Sequence, residues 1–279
     1  MIGIFDSGFG GLTVFKEIKK ALPEYSYVYL GDNLRAPYGG RDQEIIYEFT
    51  EQAVAYLFKQ GCELVVLACN TASAEALKKL QQDWLPARNA RASEAGGPTH
   101  FPDKRILGVI RPMAEEAVKA SRFGKIGVVG TVATVESGTY LRELKKQSPS
   151  ANIFQVACPL LVPLVEEGWL NRPETRMIIK KYLRPLKDQQ IDTLILGCTH
   201  YHFLLKEFTA IGGKRIKVLD APKIVASKLV DYLKHHPEIE NKIKTGGEIK
   251  YLTTGSTAKF NQFAKKFLGV EIKAEKIAL

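Results

Sequence analysis

Short apolar runs alternate along the chain with segments of helical periodicity, and this alternation constrains the fold more than any other feature. Several of the runs are apolar at consecutive positions, as strands buried on both faces of a sheet are. The pattern therefore predicts an α/β protein with mainly parallel sheets covered by helices. The predicted strands are Ile2–Phe5, Tyr27–Leu30, Leu64–Ala68, Ile106–Ile110, Ile126–Val129, Asn152–Val156, Thr193–Leu196 and Ile216–Leu219. Helices are predicted between them, among them Gln43–Lys59, Ala74–Asp83, Arg111–Ser121, Ser137–Lys146, Arg172–Leu186 and Ile224–His235.

The two halves of the chain carry similar local patterns. Leu64–Ser73 and Leu194–His202 each run from an apolar strand to a cysteine and then into polar residues that begin a helix. A chain of 279 residues is long enough for two such units. The repeated pattern therefore predicts two similar α/β units. The segment Pro86–Lys104 lacks periodicity, which predicts an exposed loop or a mobile insertion at the boundary.

The formal net charge of +10 raises the question of an anionic partner. The basic residues are spread along the chain and are only mildly enriched at Lys214–Arg215 and in the last forty residues. This distribution is typical of a solvated basic surface whose field favours a small anionic substrate. No nucleic-acid partner is expected, because no recognition module or basic stripe with interleaved aromatic residues is visible.

The N-terminus and the four cysteines bear on the compartment. Met1–Phe5 reads as the start of a strand without a basic leader, and no apolar run approaches the ~18 residues of a membrane span. We therefore expect a cytoplasmic protein without membrane contact. Disulfides are rare in a reducing compartment, and the cysteine spacings match no zinc site, so no metal is predicted. Cys62 and Cys158 are expected to be small buried residues.

Four loops place reactive or small residues directly after predicted strands. In open α/β sheets, ligands bind outside the carboxyl ends of the strands, where the loops lead into helices. The four loops therefore predict one binding site, although Asp6–Gly11 lacks the spacing of the dinucleotide fingerprint and of the P-loop. They are Asp6–Gly11, Gly31–Asp32 with Ala36–Gly39, Cys69–Thr71, and Cys198–His200.

Cys69 and Cys198 occupy matching positions between a strand and the first turn of a helix. Unpaired N–H groups and the helix dipole favour an anion there, which predicts a lowered thiol pKa. Racemisation at an α-carbon needs a base on one face and an acid on the other. Two identical groups, one ionised and one protonated, can serve both directions by exchanging roles. The paired cysteines therefore suggest two-base proton transfer.

Fewer residues are available to assist the two thiols. Asp6 follows the first strand, where its carboxyl group could polarise a nearby thiol. His200 lies two residues after Cys198 and could do the same on the other side. Glu166 and Glu167 are adjacent, and one of them could reach the site while the other faces solvent.

The motifs resemble those of glutamate racemases, in the aspartate/glutamate racemase superfamily. The matching stretches include Ile4–Val14, Pro37–Gly39, Ala68–Ala72 and Gly197–Tyr201, in order across nearly the whole chain. The resemblance implies two similar α/β domains with the active site in the cleft between them: residues 1–103 with 220–279, and residues 104–219. It implies that no cofactor is used and that Cys69 and Cys198 are the acid/base residues. It implies assistance from Asp6 and from Glu166 or His200, with Glu166 preferred over Glu167 by spacing. Asp6, Ser7, Pro37, Tyr38, Gly39, Asn70, Thr71, Thr199 and His200 would hold glutamate.

The resemblance also implies a homodimer and a role in supplying D-glutamate for peptidoglycan synthesis. Three alternatives stay open. The same two thiols could racemise aspartate or another amino acid, and a decarboxylase or isomerase of the superfamily would typically keep one of the two cysteines. From a different class, the positive charge permits a nucleic-acid or protein-binding role.

Overall fold

The chain forms two parallel β-sheets, each covered by helices on both faces, in a computed structural model that describes residues 1–86, 101 and 103–279. This architecture confirms the predicted fold class. The strands are β1 (Ile2–Asp6), β2 (Tyr27–Gly31), β3 (Leu64–Leu67), β4 (Arg105–Gly108), β5 (Lys125–Gly130), β6 (Asn152–Ala157), β7 (Thr193–Gly197), β8 (Lys217–Val218), β9 (Ile249–Thr253) and β10 (Ala274–Lys276). The first sheet has the order β10-β9-β2-β1-β3-β4, and the second has the order β6-β5-β7-β8.

Thirteen α-helices and three tighter or wider helical turns connect the strands in the described part of the chain. The α-helices are α1 (Leu12–Ala21), α2 (Gln43–Lys59), α3 (Asn70–Glu75), α4 (Leu77–Lys79), α5 (Ile110–Ala120), α6 (Val132–Glu136), α7 (Thr139–Gln147), α8 (Leu161–Glu166), α9 (Pro173–Asp188), α10 (Leu205–Gly212), α11 (Ala221–His235), α12 (Pro237–Glu240) and α13 (Thr257–Phe263). A 3₁₀ helix spans Thr199–Leu204, and π-helical turns span Leu80–Trp84 and Ala264–Leu268.

The central strands are buried on both faces, which explains their consecutive apolar residues. Every residue of β1, β2, β3 and β7 is buried. Two apolar clusters cover the faces of the first sheet, and two more cover the second. Helix α11 follows the second sheet and packs against both α1 and α5, so it joins the two units. None of the helices in the described ranges is long and apolar enough to cross a bilayer.

The structure corrects several predicted boundaries. The strand expected over Ile106–Ile110 ends at Gly108, because Ile110 already begins α5. The single helix expected over Ala74–Asp83 instead begins at Asn70 and divides into α3, α4 and a π-helical turn. Strands β9 and β10 were not predicted.

The predicted domain division, with its boundary at residue 103, stays a prediction. Strand β4 pairs with β3, with Leu64 opposite Arg105, and therefore belongs to the first sheet. The chain passes between the two units after Gly108 and returns before Ala221. Most of the predicted loop Pro86–Lys104 lies outside the described residues. Phe101 is an exception to the expected exposure, since it is buried against Phe58 and Trp84.

Candidate active site

Strand register brings the predicted loops to one edge of each sheet. Asp6 pairs with Gly31 across β1 and β2, so the loops after these strands begin at the same level. In the second sheet Gly130 pairs with Gly197, which places Thr131 and Cys198 after neighbouring strand ends. Parallel strands present all their carboxyl ends at one edge, and here the edges of the two sheets face each other across a small cleft.

The cleft contains nearly all of the residues predicted from the sequence. Its volume is about 20 Å³, which is room for a single water molecule. The predicted residues that line it are Ser7, Pro37, Tyr38, Gly39, Cys69, Asn70, Thr71, Glu166, Cys198, Thr199 and His200, and they are joined by Gly8, Ala36, Thr131 and Val162.

Two glycines allow the units to approach closely. A Cβ atom on Gly10 would collide with the side chain of Thr199, and one on Gly39 would lie 2.6 Å from Cβ of Thr131. In both cases the glycine comes from the first unit and the threonine from the second. Residues with side chains at these two positions would force the cleft open.

Cys69 is almost completely buried at the start of α3. Its sulfur lies 3.2 Å from the Ser7 hydroxyl and accepts a hydrogen bond of 3.4 Å from the backbone N–H of Ala72. Burial and the carboxyl group of Asp6 nevertheless raise the pKa of the Cys69 thiol to about 12. The lowered pKa predicted for Cys69 is therefore wrong, because burial outweighs the opposing effect of the Ala72 N–H at the start of the helix.

Asp6 lies behind the cleft wall and does not line it. Its two carboxylate oxygens accept hydrogen bonds from the backbone N–H of Gly8 at 3.0 Å and from the Thr199 hydroxyl at 3.2 Å. Burial raises the pKa of Asp6, and the nearby His200 opposes that rise. Asp6 is therefore not among the residues that line the cleft, and the substrate contact predicted for it stays a prediction.

His200 links Cys198 to an acidic residue of α8. Its Nε2 atom lies 3.1 Å from a carboxylate oxygen of Glu166, whose side chain is 34% exposed. Burial alone would lower the pKa of His200, but interactions with Cys198 and Glu166 raise it to about 10. Of the two adjacent acids, Glu166 lines the cleft and contacts His200, whereas Glu167 does neither.

Three threonine hydroxyls meet where the two units come together. Thr71 lies 3.0 Å from Thr131, and Thr131 lies 2.9 Å from Thr134. Thr131 was missed by the sequence analysis, although it comes two positions after the predicted strand Ile126–Val129. Hydroxyl groups clustered in this way can donate several hydrogen bonds to a carboxylate.

Asn70 and Tyr38 are held by hydrogen bonds outside the cleft. The side-chain oxygen of Asn70 accepts a 2.7 Å bond from the Tyr140 hydroxyl, which leaves the amide N–H₂ of Asn70 for a ligand. The Tyr38 hydroxyl donates to the buried carboxylate of Asp32. Asp32 also accepts hydrogen bonds from Arg35 and Thr254, so it anchors the loop that carries Pro37, Tyr38 and Gly39.

The other two cysteines do not line the cleft. Cys62 and Cys158 are free and fully buried, as predicted. Within the described ranges, no three His, Cys, Asp or Glu side chains are grouped so that they could hold a metal ion.

Comparison with known proteins identifies the relatives of this chain. The sequence model of the Asp/Glu/Hydantoin racemase family matches residues 2–229. A glutamate racemase of Sulfurihydrogenibium sp. (strain YO3AOP1) is 39% identical over 279 residues, which cover 100% of this chain and 97% of that protein. The crystal structure of glutamate racemase isoform RacE1 from Bacillus anthracis superposes with a TM-score of 0.87 at 34% identity, over 100% of this chain and 97% of the other.

A third relative was solved with a ligand. The glutamate racemase of Francisella tularensis subsp. tularensis SCHU S4, in complex with D-glutamate, has a TM-score of 0.83 at 28% identity and covers 99% of this chain and 97% of its own. These matches span nearly the whole of each protein. The chain is therefore an amino-acid racemase, and it belongs to the Asp/Glu/Hydantoin racemase family.

Proposed function

We propose that this chain is a cofactor-independent glutamate racemase that interconverts L- and D-glutamate by proton transfer between two cysteines. One observation carries the proposal: Cys69 and Cys198, from different sheets, line the same small cleft. The substrate is supported by the names of the relatives and by the D-glutamate bound in the Francisella tularensis protein.

The polar lining of the cleft suits an amino acid with two carboxylates. The hydroxyls of Ser7, Thr71 and Thr131 and the amide of Asn70 can donate hydrogen bonds to carboxylate oxygens. Such donors hold the α-carbon in a fixed position between the two sulfur atoms. Fixed positioning of reacting groups is itself a large part of catalysis.

The reaction proceeds by removal of the α-proton on one face and protonation on the other. The thiolate of one cysteine takes the proton and becomes a thiol, and the C–H electron pair stays on the α-carbon. The thiol of the second cysteine then gives its proton to the opposite face and becomes the thiolate. The enzyme ends with the protonation states exchanged, which is the state that the reverse reaction requires.

His200, Glu166 and Asp6 assist the two sulfur atoms. His200 stays protonated at neutral pH and supplies positive charge beside Cys198, while Glu166 holds the imidazole in place. The Asp6 carboxylate accepts hydrogen bonds from the Thr199 hydroxyl and from the Gly8 backbone N–H, and these bonds hold the loops beside both cysteines. Asp6 and Glu166 are positioning residues in this scheme, whereas the cysteines exchange protons with the substrate.

The biological role follows from the product. D-Glutamate would supply peptidoglycan synthesis, in agreement with the resemblance noted from the sequence. The homodimer and the cytoplasmic location remain predictions of that resemblance and of the sequence.

The proposal is tested by incubating the purified protein with L-glutamate and, separately, with D-glutamate in deuterated buffer without pyridoxal phosphate. We expect the circular dichroism of either enantiomer to decay to zero while deuterium enters the α-position. Cys69→Ser and Cys198→Ser should each reduce turnover by about 1000-fold or more, since general acid–base groups contribute up to about 10⁴-fold.

Cys62→Ala is the matched control, because Cys62 is also buried at the first sheet but lies outside the cleft. It should keep its turnover within about twofold. Full turnover in either serine variant would refute the two-cysteine mechanism. A folded protein that racemises aspartate but not glutamate would refute the substrate and leave the mechanism in place.

A further inference from the structure

A wide groove lies at the end of the second sheet that is opposite to the catalytic cleft. Three segments that precede strands β5, β7 and β8 line it, within residues 120–125, 187–192 and 212–217. Its volume is about 1220 Å³. Because β7 has five residues between the groove and Cys198, the two sites are separated by about 16 Å along the strand. A ligand in the groove therefore leaves the catalytic cleft free.

The groove is strongly basic. One carboxylate, that of Asp192, accompanies six cationic side chains in the lining. In the part of the chain that the structure describes, none of the six forms an ion pair, whereas Lys104 and Lys228 elsewhere do. Unpaired positive charges gathered in a concave surface attract polyanions. The six cations are Arg122, Lys125, Lys187, Lys214, Arg215 and Lys217.

The main contribution of Asp192 to the groove is to hold one of its loops in place through hydrogen bonds, and its single negative charge leaves the groove basic. Its carboxylate accepts hydrogen bonds from the Ser121 hydroxyl at 2.6 Å and from the backbone N–H groups of Arg122 and Phe123 at 2.9 and 2.6 Å. The Thr193 hydroxyl donates a fourth bond, at 2.9 Å. These bonds hold the loop that presents the Phe123 ring, which is 76% exposed. An aromatic ring fixed beside basic residues provides a surface on which a base can stack.

We propose that this groove binds single-stranded nucleic acid, a function beyond racemisation. The six cations follow the phosphate backbone, and Phe123 stacks on a base. The volume of the groove exceeds the roughly 300–1,000 Å³ of sites for small molecules, which favours a polymer. The concave shape does not suit a flat lipid surface. Duplex DNA is read by a helix or ribbon that enters its major groove, and the loops here form a recess instead.

The test is fluorescence anisotropy of a labelled 15-nucleotide oligothymidylate titrated with the intact protein. With four phosphates neutralised, the dissociation constant should increase about 20-fold between 50 and 150 mM salt. Lys214→Glu combined with Arg215→Glu should weaken binding at least tenfold. Phe123→Ala should weaken it about fivefold or more, as expected for loss of one stacked base.

The matched control is Lys19→Glu combined with Lys20→Glu, which makes the same charge change at two exposed lysines of α1. It should alter oligonucleotide binding by about twofold or less. Racemisation should be unchanged in all of these variants, so that failure of this proposal and failure of the proposed activity are separable. If the paired glutamate variant does not fold, Lys214→Gln with Arg215→Gln is measured by the same criteria.

Several results would overturn the proposal. Equal weakening in both double variants would mean diffuse attraction to a basic protein, and absence of binding at 50 mM salt would mean that there is no site. Displacement of the oligonucleotide by pyrophosphate at equal phosphate concentration would assign the groove to small phosphate compounds. Tighter binding to phosphatidylglycerol vesicles than to the oligonucleotide would assign it to a membrane surface.

Discussion

Cys69 and Cys198 follow equivalent strand ends in the two sheets, yet their surroundings differ in chemical character. Cys69 lies beside the carboxyl group of Asp6 and is held by one hydroxyl and one backbone N–H. Cys198 lies beside His200, a cation at neutral pH that is paired with Glu166. The similar sequence patterns therefore produce similar positions but opposite electrostatic neighbours.

This difference bears on the protonation state of Cys69 in the proposed mechanism. The neighbourhood of Cys69 raises its thiol pKa and keeps the proton on the sulfur. We therefore expect Cys69 to keep its proton in the resting enzyme. Burial and the neighbouring carboxyl group of Asp6, rather than the sulfur atom itself, account for the raised pKa of the Cys69 thiol.

Of the substitutions that test this difference between the two cysteines, His200→Asn should reduce activity most. It removes the positive charge that lies beside Cys198. We expect kcat/KM to fall by about 100- to 1000-fold in both directions of the reaction, in the range of general acid–base contributions. The measurement is racemisation of L- and D-glutamate by circular dichroism. Activity within a factor of three of the unaltered enzyme would show that Cys198 does not depend on an imidazolium.

Asp6→Asn should have a smaller effect on activity, about 10- to 100-fold, because Asp6 exchanges no proton with the substrate in the proposed mechanism. Its melting temperature should not decrease, since burial raises the pKa of Asp6 and the fold therefore disfavours the charged carboxylate. Asp32→Asn is the matched control at another buried strand end. It breaks the ion pair with Arg35 and should cost about 3 kcal/mol, or about 6 °C or more. Equal melting temperatures for both variants would contradict this distinction.

Glu166→Gln should have the smallest effect, a loss of about tenfold at neutral pH. Glu166 contributes to the raised pKa of His200, so its removal lowers that pKa from about 10. Activity that requires protonated His200 should then be lost at a lower pH, and the alkaline limb of kcat/KM against pH should move to lower pH. Glu167→Gln, at the adjacent exposed position, should leave the profile in place. A shift of the same size in both variants would refute the Glu166–His200 coupling.

The sequence predicted the strands of the sheet interiors well, and for a physical reason. Fully buried strands such as Ile2–Asp6 and Thr193–Gly197 need apolar residues on both faces, and that requirement is visible in the sequence. Strand β10, Ala274–Lys276, is a three-residue edge strand with two exposed charged residues. The position of β10 depends on its pairing with β9, and the local sequence does not predict that pairing.

The cleft was predictable because its residues follow strand ends, and parallel sheets bring strand ends together. The effect of neighbouring side chains on each of these residues was not predictable, because the sequence does not show that Asp6 packs beside Cys69 or that Glu166 reaches His200. The basic groove was missed for the same reason. Arg122, Lys187 and Lys214 are far apart along the chain, and they meet only because the strands that follow them are adjacent.

The small volume of the cleft has a consequence for what happens between two turnovers. A space with room for one water molecule offers bulk solvent little access to the sulfur atoms. Because glutamate is larger than one water molecule, the cleft has to open to admit it, and the sulfur atoms are sheltered from solvent only while the cleft is closed. A proton taken from one substrate molecule would therefore stay on the enzyme until the product leaves. At high substrate concentration the next substrate molecule would bind before that proton exchanges with water, so the protonation state of the enzyme would depend on which enantiomer it last converted.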